Sequence, residues 1–187
     1  MAKEEDIKPF ARVIRKQALR LVSLSEDIIQ LSQLEESDDE NMSFESVDLY
    51  DIANKCVNAL NKNVTLSLSG EQCYIRGKAQ LVEEMVYNLL DNAIRYNKEN
   101  GTVTVTVTPL SKGASVSVKD TGIGIPAKYQ DRIFERFFRV DKSRSKATGG
   151  TGLGLAIVKH ITQLHGADLK LESEEGKGTQ IIVTFKD

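Results

Sequence analysis

Three kinds of hydrophobic periodicity run along this chain in succession. From Ile7 to Leu34 the apolar residues fall on a heptad, with Ile7, Ile14, Leu21 and Ile28 at one position and Phe10, Gln17, Leu24 and Leu31 at the other. This spacing predicts one long helix, with Asp6 as its N-cap and Pro9 in the first turn, where a missing N–H costs little. Such a stripe either folds back on its own domain or seeks a partner helix in a bundle. Glu35 to Asn41 is acidic and aperiodic, so a linker is expected over 37–46.

Beyond the linker the period shifts repeatedly between helix and strand. Val47 to Leu60 carries helical spacing, Val64 to Ser69 alternates as a strand does, and Ala79 to Tyr96 is a strongly apolar helix through Met85, Leu89 and Ala93. Thr102 to Val107 and Ser115 to Val118 alternate with period two around a turn at Pro109 to Gly113, which predicts a hairpin. A short helix is expected from Ala127 to Phe137 and another from Leu153 to Leu164, the latter closed by Gly166 as a left-handed cap. Strands around Leu169 to Glu172 and Ile181 to Phe185 end the chain. The order implies an α+β fold, a two-layer α/β sandwich with three helices on one face of the sheet, preceded by the long N-terminal helix. The expected division is 1–36 helix, 37–46 linker and 47–187 globular domain.

Composition narrows the function classes. The 187 residues carry a formal net charge of −2 and offer no polybasic surface, which disfavours nucleic acid as a partner. Cys56 and Cys73 are isolated, with neither a C-x-x-C pair nor histidine at ligand spacing, and read as core thiols in a reducing cytosol. No apolar run reaches the roughly 20 residues that span a bilayer, and the first residues lack a signal-peptide pattern. A soluble chain, excised from something larger, is the expectation.

Four segments carry candidate chemistry. On the helix from Ala79, Asn88, Asn92 and Arg95 recur at i, i+4 and i+7 and share a face, so two amides and a guanidinium stand together. That group suits magnesium with phosphate oxygens, since magnesium takes hard oxygen ligands; a buried polar helix face is the plainer alternative. Asp120-Thr121-Gly122-Ile123-Gly124-Ile125-Pro126 follows a strand, where a carboxylate can accept an exocyclic amine and glycines admit a flat base; a plain turn is the alternative. Arg132 to Arg139 holds Phe134, Phe137 and Phe138, either a core cluster or the anchor of a mobile loop. Arg139, Lys142, Arg144 and Lys146 then form a basic run that either reaches phosphates or is merely solvated. Gly149-Gly150-Thr151-Gly152-Leu153-Gly154-Leu155 opens a helix whose free N–H groups favour anions, without the Lys-Ser or Lys-Thr of a Walker A loop.

In order and spacing these four segments resemble the N, G1, F and G2 boxes of the sensor histidine kinases, in the superfamily that includes gyrase, Hsp90 and MutL. The resemblance spans Leu49 to Asp187 and implies a Bergerat-type sandwich with ATP and Mg2+ under a lid from about Pro126 to Gly150. Carried over by position, it implies Asn92 as principal magnesium ligand with Asn88 assisting, Arg95 on phosphate, and Tyr96 against the nucleotide. It likewise implies Asp120 as adenine reader, Gly122, Gly124 and Ile125 in the first glycine segment, and Arg139 and Lys142 on the lid. Gly150, Thr151, Gly152, Leu153 and Gly154 form the second glycine segment. Arg95 departs from a lysine common at that position and keeps the cation.

Asn88 separates branches of that superfamily, because hydrolysing members carry a glutamate there that activates water and asparagine cannot accept a proton. Histidine titrates near neutrality and already has a free lone pair, so transfer to it needs no such base. Leu24 to Glu35 resembles the end of the second dimerisation helix of these kinases; the first helix, with its acceptor motif, is absent, and only His160 and His165 occur, both expected to be structural. The resemblance therefore implies phosphoryl transfer from ATP to a histidine outside this chain and relay to a response regulator. It also implies a homodimeric, membrane-anchored parent whose cytoplasmic portion this is, and no histidine autophosphorylation by the chain alone. An ATP-driven clamp of the gyrase type and a nucleotide-binding scaffold are the rival readings.

Overall fold

The computed structural model describes residues 4–36, 43–60, 64–140 and 150–186. Helix α1 runs from Glu4 to Glu36, followed by strand β1 (Glu45–Asp48), helix α2 (Leu49–Ala59), strands β2 (Thr65–Gly70) and β3 (Tyr74–Gly77), and helix α3 (Ala79–Arg95). The hairpin β4 (Thr102–Pro109) and β5 (Ala114–Asp120) comes next, then α4 (Gly154–Leu164), β6 (Asp168–Glu174) and β7 (Gly178–Phe185). Five strands form a sheet in the order β2-β4-β5-β7-β6, parallel between β2 and β4 and antiparallel elsewhere. This is the mixed sheet and α+β sandwich that the periodicities imply.

Alternation decides which face is covered. Val103, Val105 and Val107 of β4, Val116 and Val118 of β5, and Ile181, Val183 and Phe185 of β7 all point to one side and are buried. Register stacks them, with Val105 opposite Val118 and Val116 opposite Val183, so a single apolar sheet face results. Helices α2, α3 and α4 cover it. Their own stripes match: Leu49, Ile52, Ala53, Cys56 and Val57 on α2, Val82, Met85, Val86, Leu89, Leu90 and Ala93 on α3, and Ala156, Ile157, Val158 and Ile161 on α4.

Two local expectations change. The helical spacing from Val47 hides a junction: Glu45–Asp48 is a strand pairing antiparallel with β3, itself absent from the sequence reading. Asp48 ends that strand and caps α2, its carboxylate accepting from Tyr50 N at 3.0 Å and Asp51 N at 3.1 Å. The helix expected over Ala127 to Phe137 is only a 3-10 turn, Ala127–Tyr129, followed by further turns. Bonds of the i to i−3 kind carry it onward, from Arg132 N to Tyr129 O, Glu135 N to Arg132 O and Phe138 N to Glu135 O. Phe137, at φ 61°, then turns the chain away.

The heptad stripe divides between the two arrangements open to it. Leu31 and Leu34 are buried in the core and Leu24 packs partly against it, whereas Phe10, Ile14, Leu21 and Ile28 are exposed. His160 Nε2 lies 3.1 Å from Leu34 O, joining α4 to the end of α1. Among the described residues no helix is long and apolar enough to cross a membrane. The side chains of Asp6 and Pro9, and most of the linker, lie outside the described residues.

His165 ties the helical layer together. Lys78 N–H donates to its Nε2 at 3.1 Å, so Nε2 is an acceptor and the ring proton sits on Nδ1, facing Ile161 O at 2.8 Å. Its ring stacks on Phe44 at 4.9 Å, nearly parallel, and meets Phe185 edge-on. Burial pushes its pKa below the ordinary histidine value, against the opposing effect of the Ile161 hydrogen bond. The unfolded chain takes up a proton near pH 6.5 that the folded chain refuses. Stability is therefore fully present above that pH and declines as pH falls, by at most about 1.4 kcal/mol per unit from this group. Urea melts of His165→Leu should show a flatter pH profile between pH 7 and 5.5 than the parent, and a loss of about 1–3 kcal/mol at pH 7 from the orphaned Lys78 N–H.

Candidate functional site

The polar face of α3 sits opposite its apolar one and opens into a cleft of about 510 Å³. Tyr87, Asn88, Asp91, Asn92 and Arg95 line it from the helix, Tyr96 from the helix end, and Asp120 from the end of β5. Ile123, Gly124, Ile125 and Pro126 form one wall, Ile133, Phe138, Arg139 and Val140 another, and Gly150, Thr151, Gly152 and Gly154 a third. Three segments far apart in sequence converge because α3, β5 and α4 pack on one another.

Asp120 marks one end. It is only 8% exposed, and its Oδ1 accepts the Gly122 N–H at 2.7 Å. Burial pushes its pKa up, while backbone N–H groups of Gly122 and Thr179 oppose the shift. The carboxylate thus has a lone-pair surplus at the edge of an apolar pocket, fitted to a ligand's N–H. Around it the loop is stitched to α3: Ile123 N donates to Tyr96 O at 3.1 Å, and a β-carbon on Gly122 would collide with Tyr96 O and come 2.7 Å from Asp120 Oδ1. No side chain fits there.

Cations and helix N–H groups mark the other end. Arg95 holds Asp91 Oδ2 through Nε at 3.2 Å and Nη2 at 2.6 Å, the i, i+4 pair expected on a helix face. Its Nη1 and Nη2 of Arg139 both approach Gly150, 3.4 and 3.6 Å from where a β-carbon would stand. Behind them α4 begins at Gly154, where a β-carbon would lie 2.8 Å from Asn88 Oδ1. Asn88 Nδ2 donates to Glu84 O at 3.1 Å, turning its oxygen toward that helix start. Phe137 N donates to Gly152 O at 2.9 Å, pinning the aromatic segment to the glycine loop. Cationic side chains and helix-start N–H groups at one place suit an anionic tail.

Among the described residues, most of those expected line this cleft, and Gly122 and Leu153 do not. Gly122 supports it from behind; Lys142 lies outside the described residues, as do Arg144, Lys146 and Gly149. Leu153, expected among the ligand residues, instead buries its side chain completely in the core, because the residue before α4 must close the apolar layer; only its N–H turns to Thr151 Oγ1, at 3.3 Å. The phenylalanines do not join the core: Phe137 is exposed, and Phe138 lies under Arg132, 4.4 Å from guanidinium to ring centre. The sequence reading also missed Thr179, beside Asp120, and Ser23 and Asp27 of α1. Only the pairing of β5 with β7 could have indicated Thr179, and nothing in the sequence places α1 over the cleft.

Comparison with known proteins agrees with this geometry. Residues 77–187 match the family model described as histidine kinase-, DNA gyrase B-, and HSP90-like ATPase. The chain is 34% identical over 190 residues to the sensor histidine kinase WalK of Bacillus subtilis, covering 97% of this chain and 31% of that protein. It therefore spans about a third of that relative's length. A mycobacterial sensor histidine kinase, MprB, superposes with a TM-score of 0.67 at 27% identity, over 76% of this chain and 97% of that one. The full-length ShkA structure in complex with AMPPNP shares the fold at TM-score 0.78 and 22% identity, over 96% of this chain and 39% of that one.

Two glycines should respond differently to alanine. At Gly122 the added carbon meets fixed backbone, so Gly122→Ala is expected to cost about 1–3 kcal/mol in chemical denaturation. At Gly154 it meets a movable amide at a helix start, so Gly154→Ala should stay within about 1 kcal/mol of the parent while displacing Asn88.

Proposed function

The chain belongs to the histidine kinase-, DNA gyrase B- and HSP90-like ATPase family, and from that premise we propose how this ATP-binding catalytic domain of a sensor histidine kinase uses its cleft. The carrying observation is the polarity of that cleft: a buried carboxylate at one end, two guanidiniums and a helix start at the other. The purine of ATP lies at the Asp120 end, its exocyclic amine donating to the carboxylate, with Tyr96, Ile123 and Ile125 against the ring. The triphosphate runs toward Arg95, Arg139 and the N–H groups of Gly150 to Gly154. Gly122 lets the loop close on Tyr96 behind the base, and Gly124 lines the pocket beside it.

Magnesium fits the donor set only together with phosphate. Among the described residues no cluster of three or more His, Cys, Asp or Glu side chains could hold a metal by itself. Asn92 lines the cleft and its side chain makes no hydrogen bond there, leaving a hard amide oxygen available, with Asn88 one turn away. Bound there, the ion would neutralise phosphate charge; Asn92 holds it, and Asn88 assists.

The reaction is transfer of the γ-phosphoryl group to a histidine of a dimerisation domain, for relay to a response regulator. Asn88 stands where a water-activating base would be needed for hydrolysis, and a neutral amide cannot serve. Neither histidine of this chain lines the cleft; His165 has both nitrogens engaged and His160 faces Leu34. The acceptor therefore comes from elsewhere in a larger, homodimeric and membrane-anchored protein whose cytoplasmic face holds this domain. Residues 1–36 carry the second dimerisation helix, and the catalytic unit begins at β1 rather than at residue 47, because Glu45 and Ser46, expected in the linker, pair with Gly77 and Arg76.

Isothermal titration with Mg-ATP should show binding that Asn92→Ala and Asp120→Ala each weaken by at least about tenfold, roughly 1.4 kcal/mol. Unchanged affinity in both variants would refute the placement. Incubation of the purified chain with radioactive ATP should leave no acid-labile label on it, and steady phosphate release would instead favour the clamp-type ATPase.

A further inference from the structure

Helix α1 does more than precede the domain: it reaches into the cleft. Ser23 and Asp27 are part of the lining, and Asp27 Oδ2 accepts the Thr151 hydroxyl at 2.6 Å. Thr151 belongs to the glycine loop beside Gly150, where Arg95 and Arg139 converge. One helical turn further on, Leu31 is buried in the core, and Leu34, buried too, is tied through its carbonyl to His160. Toward its start the helix exposes Phe10, Ile14 and Leu21. Asp27 thus sits on α1 between its anchored end and the exposed apolar residues toward its start.

Among the described residues, charges of both signs meet at this place. Asp91 holds Arg95, and Asp27 stands in the same field, favoured by Arg95 and disfavoured by Asp91 and Glu26. Burial raises the Asp27 pKa, an effect larger than the opposing Thr151 hydrogen bond. With Asp27 docked, two carboxylates, Asp91 and Asp27, stand among the described residues near the loop where the guanidiniums of Arg95 and Arg139 converge. An arriving terminal phosphate must then share two guanidiniums with two carboxylates, one of which also occupies the Thr151 hydroxyl. A diphosphate, ending sooner, meets less of this repulsion.

Resting on the nucleotide reading above, we propose that Asp27 is a phosphate-sensing latch: its bond to Thr151 holds α1 across the phosphate end of the cleft, and a terminal phosphate displaces it. The docked position admits a diphosphate and resists a triphosphate; release of Asp27 removes one negative charge and frees Thr151 for the ligand. Because binding and displacement are linked, whatever moves α1 alters triphosphate affinity, and triphosphate moves α1.

The test compares the full chain with Asp27→Asn, which keeps an acceptor for Thr151 but loses the charge, and Asp27→Ala, which loses both. Each is titrated with Mg-AMPPNP and with Mg-ADP. Both variants should bind the triphosphate analogue about fivefold or more tightly than the parent, and ADP within about twofold, the size of an ordinary coupling between sites. In the parent, AMPPNP but not ADP should accelerate amide hydrogen exchange across residues 20–34. Equal gains for both nucleotides, unaltered exchange, or weaker AMPPNP binding in the variants would overturn the latch, the last by making Asp27 a residue that holds the ligand. A parent that binds neither nucleotide overturns the nucleotide reading itself, whereas one that binds both without discrimination by the variants overturns only the latch.

Discussion

The structure depends on one helix having to satisfy two environments. Val82, Met85, Val86, Leu89, Leu90 and Ala93 put α3 on the sheet, and all are buried. Their spacing of three and four leaves the opposite face for Tyr87, Asn88, Asp91, Asn92 and Arg95, which look into the cleft. Rotating the helix by a single residue position would expose methionine and leucine and bury asparagine and arginine without partners, at a cost of several kcal/mol. The apolar contact that stabilises the domain is thus also what aims the polar side chains.

The glycine segments extend the same constraint. Beneath Asp120, the loop can reach the end of α3 only if no β-carbon stands at Gly122, and glycine at 154 lets α4 start against the Asn88 amide without displacing it. Backbone bonds then fix the distances, Ile123 N to Tyr96 O and Phe137 N to Gly152 O. The carboxylate end and the cationic end are consequently held by separate loops on a common helix. A ligand with a base and an anionic tail bridges them, and bringing the loops together costs it little because each is already tied to α3.

Helix α1 reaches from the core to the edge of the cleft through Asp27. Its two ends have different attachments, Leu31 and Leu34 in the core and Phe10, Ile14 and Leu21 in solvent. A partner helix that covers the exposed stripe would also bear on Asp27, since a helix transmits tilt along its length. On the latch proposed above, helix position and nucleotide affinity are linked, so that a change in either alters the other.

Local chemistry was legible in the sequence wherever period and residue type agreed. The alternation of β4 and β5, the apolar stripe of α3, the i, i+4, i+7 spacing of Asn88, Asn92 and Arg95, and the glycines around Asp120 and before α4 all follow from geometry within one element. Strands β1 and β3 were not legible, because four-residue strands lie below the length at which a period shows, and Val47 belongs as well to a helical pattern as to a strand. The turns after Pro126 were misread as helix because their i to i−3 bonds depend on contacts with Gly152 and Ser173 that lie far along the chain. Leu153 was expected to face the ligand at the start of a helix and is buried in the core, since only the stacking of α4 on α3 decides which way it faces. By itself the sequence determined which side chains could carry chemistry; packing alone decided that Thr179 borders Asp120 and that Asp27, 124 residues from Thr151, closes on it, because no periodicity encodes which elements meet.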